Sequence, residues 1–124
     1  MKNIENLFRK NNLLFKKINK GKITIYEFEN EVLLCIIQSQ CNTFKIDFSD
    51  FKYLDDKLLP YSFLMINKKT DKMYYLKISE PNNFIRNDFE ATKKNELYFG
   101  KQILNNEIKN GTDLIKNIEG MGEM

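Results

Sequence analysis

The sequence predicts an α+β fold: a largely antiparallel sheet of about five strands, flanked by an N-terminal helix and C-terminal helices. Three observations carry this expectation. The chain opens on apolar residues at three- and four-residue spacings, its middle is filled by short β-prone runs, and helical spacing returns after Ser79-Glu80-Pro81. With 124 residues it is expected to form one domain, 1–124, with 119–124 frayed. An apolar fraction of 42%, with ten Phe and six Tyr, is enough for one core without staples and argues against intrinsic disorder.

The elements follow in order. Ile4, Leu7, Phe8, Leu14, Phe15 and Ile18 lie on one helical face, with Lys10, Lys16 and Lys17 elsewhere, and Gly21 is suited to a left-handed cap. Ile23 to Phe28 is rich in β-formers, and Asn30 marks a turn. Glu31 to Ile37 is apolar on both faces, as in a central strand covered on both sides. Phe44, Ile46 and Phe48 alternate with Lys45 and Asp47, which is the pattern of a half-buried strand. Ser49 to Pro60 reads as an acidic connector. Tyr61 to Ile66 and Met73 to Ile78 form the strongest hairpin signal, joined by Asn67 to Lys72. Beyond it, Asn87 with Glu90 reads as an N-cap pair for a helix whose inner face is Phe89, Leu97, Ile103, Leu104 and Ile108. Gly100 lies either inside that helix or before it. Gly111 ends the element, and Thr112 caps a last short helix through Leu114, Ile115 and Ile118. The expected core includes Leu34, Ile36, Phe44, Ile46, Phe48, Phe63 and Leu64.

Composition narrows function mainly by exclusion. Histidine is absent, so a Ser–His or Cys–His nucleophile and a histidine base are ruled out. The five glycines are scattered, leaving no phosphate-binding loop, and no motif for a cofactor is present. Cys35 and Cys41 are too few for a structural zinc site and are expected as free thiols, although a hairpin near Ser39 would let them face each other. No apolar run approaches the ~18 residues of a membrane span and no leader pattern opens the chain, so the expected address is the cytoplasm. Carboxylate chemistry would fall to Asp47, Asp50, Asp55 and Asp56, which also read as a solvated connector.

The net charge of +3 is unevenly spread. Residues 1–22 carry seven cations and one anion, while residues 23–66 carry three cations and seven anions. Two basic groups are candidates for meeting a partner. The first is the hairpin tip, Lys68, Lys69 and Lys72, with Tyr74 behind it as an aromatic anchor. The second is the helix face of Lys10, Lys16 and Lys17. Lysines at a tip also keep a sheet edge wet, and a lysine face is also ordinary helix surface. Arginine is scarce (Arg9 and Arg86 only), and a pI of 8.8 falls just short of the usual nucleic-acid footprint. These features favour another protein as the partner, including a nucleoprotein, over direct nucleic-acid binding, and leave no role for a membrane.

Two resemblances bear on this. The hairpin Tyr61 to Ile78 resembles the active-site hairpin of PD-(D/E)XK nucleases, which implies a metal-dependent site with Lys77 as its lysine. Tyr75 stands where that family needs an acid, and Tyr61 to Ile66 supplies no carboxylate. In size, Lys/Asn/Ile-rich composition and segregated charge, the chain resembles the small inhibitor proteins of phages and mobile elements, the anti-CRISPR proteins among them. That resemblance implies a non-catalytic protein that occludes a host or defence protein in the host cytoplasm. It transfers no residue.

Overall fold

The computed structural model describes residues 4–78, 89–91 and 96–121, with the side chains of 78 and 89–91 excepted. The class is α+β, as the sequence predicts. A six-stranded sheet runs in the order β1 (Phe15–Lys20), β2 (Ile23–Phe28), β3 (Leu33–Ser39), β5 (Tyr61–Asn67), β6 (Met73–Ile78) and β9 (Glu107–Ile108). A second sheet joins β4 (Lys45–Asp47), β8 (Glu96–Phe99) and β7 (Phe89–Ala91). The described strands therefore outnumber the expected five. Every pair is antiparallel except β3 and β5, which run parallel with Leu33 opposite Tyr61. A parallel pair needs a crossover connection, and here β4 and the helix α2 (Phe48–Asp55) supply it.

The large sheet is covered on both faces, which explains why β3 and β5 are apolar throughout. Strand alternation sends Ile25, Leu33, Cys35, Phe63, Met65 and Tyr74 to one face, under α2, the small sheet and a 3₁₀ helix at Lys101–Asn106. It sends Tyr26, Leu34, Ile36, Leu64, Ile66 and Tyr75 to the other, under α1 (Ile4–Lys10) and α3 (Gly111–Met121). Glu5 ties α1 to the sheet: its carboxylate accepts hydrogen bonds from Tyr26 at 2.8 Å and Lys17 at 2.9 Å, which hold its pKa below the ordinary value. Gly111 permits close approach of α3 to α1, since a Cβ there would lie 2.9 Å from Leu7.

Several expectations are corrected. The first helix does not continue to Ile18. Leu13 N–H reaches Phe8 C=O, Asn12 N–H reaches Arg9 C=O, and Asn12 adopts φ 60°, which together make a left-handed helix stop. Lys16 and Lys17 therefore stand on strand β1 rather than on a helix face, and Gly21 (φ 56°) serves the β1–β2 hairpin turn. The connector after Ser49 is the helix α2, beginning at Phe48. Phe51 and Leu54 face the core, whereas Phe48 is 45% exposed and leaves the expected core list. The long helix through Leu97 and Ile108 is replaced by β7, β8, the 3₁₀ helix and β9, with Gly100 at the N-cap of the 3₁₀ turn. Asn87, half of the expected cap pair, lies outside the described residues; Glu90 is in β7. Finally, the C-terminal helix runs to Met121. Its buried sulfur accepts a hydrogen bond from Tyr75, so the helix is held at Met121 rather than frayed from 119. This helix is capped by Asn110, whose Oδ1 accepts from Asp113 N–H at 2.9 Å, instead of by Thr112.

Candidate functional site

The hairpin tip between β5 and β6 is built around one side chain. Asn67 is 4% exposed, and its Oδ1 accepts the backbone N–H groups of Lys69 (2.9 Å) and Thr70 (3.2 Å). This is the local turn that an Asn side chain can impose on the backbone. Its Nδ2 donates to Asn42 Oδ1 at 2.7 Å, and Lys68 N–H donates to Ser39 C=O at 2.8 Å, so the tip is bonded to the end of β3 and to the loop that follows it. Asp71 takes φ 63° and closes the turn onto Asn67 C=O. Lys68, Lys69 and Lys72 are all exposed on this braced turn.

Tyr74 is not the anchor beside them. It is 3% exposed, because residue 74 alternates onto the face covered by the small sheet and meets Phe44 with ring centroids 5.9 Å apart. Tyr75 lies on the opposite face, where burial raises its hydroxyl pKa and its hydroxyl donates to Met121. Strand alternation puts the two rings on opposite faces, and both faces are covered.

The second group is dispersed. Lys10 ends α1, Lys16 is exposed on β1, and Lys17 pairs with Glu5. The topology assembles a different basic group. Because β1, β3 and β5 point the same way, the Lys20-Gly21-Lys22 turn and the tip lie at one end of the sheet. Three strand spacings separate the two turns, roughly 14 Å. Lys20 rests over the Tyr53 ring, 4.7 Å from its centroid, and Lys22 is exposed. Sequence reading missed this pairing of turns because the two turns are far apart in the chain and meet only through strand order.

The acidic connector is divided by its own helix. Asp50, in the first turn of α2, is 5% exposed and packs over Gly21; burial and nearby Asp47 raise its pKa, against the pull of Lys20. Asp55 accepts from Tyr61 at 3.2 Å, and Asp56 lies 3.9 Å from Lys52 at the other end of the helix. Among the described residues, no group of three or more potential metal ligands converges. At the hairpin position of a PD-(D/E)XK site, Lys77 is exposed opposite Ser62, and Tyr75 is buried on the α3 face. Cys35 is buried, with its thiol pKa raised by burial and by Asp50. Cys41 is exposed in the β3–β4 loop, with its thiol pKa lowered by contacts to Ser39 and Thr43, and both are free. No described helix is long and apolar enough to cross a membrane. Compared with known families and with curated proteins, the chain matches no family model and no curated protein.

Proposed function

We propose that this chain is a non-catalytic protein-binding module that acts as an inhibitor, occluding a host or defence protein as anti-CRISPR proteins do, and that it meets its partner through the basic end of the large sheet. The observation that carries this reading is the braced tip. Asn67 and its five hydrogen bonds, three from the side chain and two from the backbone, fix a turn whose three lysines contribute nothing to the core. A turn ordered in advance loses little conformational freedom on binding, and its lysines speed association with an acidic surface.

A second reading, direct binding of nucleic acid, has its own support in the two lysine turns facing one way. It is the weaker of the two because Tyr74 and Tyr75 are buried, leaving the tip no ring on which a base could stack.

The deciding variant is Lys68→Glu, Lys69→Glu, Lys72→Glu, compared with the parent in thermal melting and in binding to the protein captured from the native host. The expected result is an unchanged melting temperature with binding at least about tenfold weaker, mostly through slower association. Undiminished binding by the folded variant overturns the reading. A gel shift with DNA and RNA whose affinity falls steeply between low and physiological salt transfers the surface to nucleic acid.

A further inference from the structure

We infer that the outer edge of β1 accepts an acidic, extended segment of a partner protein as an added strand, with an apolar side chain of that segment seated beside Leu14. This rests on the protein-binding reading and adds to it the chemical nature of the bound segment.

The edge is open: among the described residues β1 pairs only with β2. Its free hydrogen-bonding groups can be assigned. Glu29 N–H donates to Leu14 C=O, and Phe28 N–H donates away from β1 to Val32 C=O. In an antiparallel ladder successive residues face alternate sides, so Leu14, Lys16, Ile18 and Lys20 bond inward to β2. Phe15, Lys17 and Asn19 therefore direct their N–H and C=O groups outward. That is a template for main-chain pairing along a strand of six residues.

An apolar recess sits where this edge begins. The helix stop after α1 uses Leu13 to pack back toward Phe8, so the next residue, Leu14, is turned outward and is 65% exposed. A groove of about 570 Å³ lined by Arg9, Asn12, Leu13, Leu14 and Phe15 opens beside it. A strand laid along β1 would bring its end to this groove.

Charge selects the occupant. Residues 11–26 contain Lys16, Lys17, Lys20 and Lys22 and no acidic residue. Lys16 and Lys22 are exposed and make no ion pair among the described residues. A second copy of this chain would bring the same lysines against one another, and like charges across a strand pair destabilise it. A segment with Glu or Asp at alternate positions has the complementary pattern.

The experiment uses the whole chain, isotope-labelled, and two short probe peptides. One alternates Glu with Val and ends in Leu; the other has Lys in place of Glu. The expected result is amide shifts and slowed hydrogen exchange at Phe15, Lys17 and Asn19 with the Glu peptide, and binding at least about tenfold weaker with the Lys peptide. Lys17→Ala, which loses the ion pair with Glu5 but keeps the N–H, is expected to keep the effect, whereas Lys17→Pro, which also removes that outward donor while leaving the β1–β2 main-chain bonds intact, is expected to abolish it. If that variant unfolds, the exchange pattern of the parent decides alone. Shifts confined to Lys68 to Lys72, self-association through β1 without peptide, equal binding of the two peptides, the same shifts with single-stranded DNA, or no shift at all would each overturn the inference. The Lys68, Lys69, Lys72→Glu variant separates the two readings. If it keeps the β1 shifts but loses the captured partner, the tip reading stands by itself; if it keeps both, the tip reading fails while the edge survives.

Discussion

Two polar residues buried in an apolar core do the most specific structural work. Asn67 lies at the end of the fully buried strand β5, and removing its side chain would leave the backbone N–H groups of Lys69 and Thr70 and the side-chain Oδ1 of Asn42 without this partner. Asn67→Ala is expected to lower stability by about 1–3 kcal/mol and to accelerate amide exchange at Lys69 and Thr70. A stability loss without faster exchange at the tip would mean that Asn67 only fills space. Asp50 acts in the opposite sense. Its folded pKa is raised, so the folded state favours the protonated carboxyl. Asp50 therefore contributes most below the ordinary carboxylate value, near pH 4, and that contribution is lost as pH rises through the raised folded value. Asp50→Asn keeps the shape without the charge. Its advantage over the parent in urea midpoint is expected to grow from about pH 4 to pH 7. An advantage that shrinks over that range would mean that the ionised carboxylate is the stabilised form.

Elements were legible where local pattern and packing agree. β2 was readable to the residue from its β-formers, and the β5–β6 hairpin from two apolar runs around a polar tip. Reading failed where one apolar pattern fits two structures. Leu14, Phe15 and Ile18 satisfy a helical stripe, yet Asn11-Asn12 stops the helix and the same residues continue as an edge strand. In α2 the alternation Phe44, Ile46, Phe48 ran one residue too far. Asp47 becomes the N-cap, and Phe48 rotates outward on the first turn. Leu97 and Ile108 fit the inner face of a helix because sparse apolar positions are ambiguous in short segments, and only pairing with β4 and β6 reveals them as strands. The candidate site suffered for the same reason. Lys68, Lys69 and Lys72 were legible as an exposed tip, but the burial of Tyr74 depends on the second sheet, whose existence no local signal announced.

At the scale of the molecule, the double covering of the main sheet was foreseeable from the unbroken apolar run in β3. The strand order was not, because β3 lies beside β5 only through a parallel pairing that skips β4 and α2. That seam has a consequence for how the chain assembles. On one side of it β1, β2 and β3 are joined by short turns; on the other, β5 and β6 are joined by a single tip. Each half can zip up from its own turns, while the seam between them must wait for the chain between Ser39 and Tyr61 to close, a slower event with a larger entropy loss. The middle of the sheet is thus expected to be the last part to form. In pulse-labelled refolding, amides between β1 and β2 and between β5 and β6 should be protected before those linking β3 to β5. Simultaneous protection across all three would show instead that the parallel seam is itself the nucleus on which both hairpins are built.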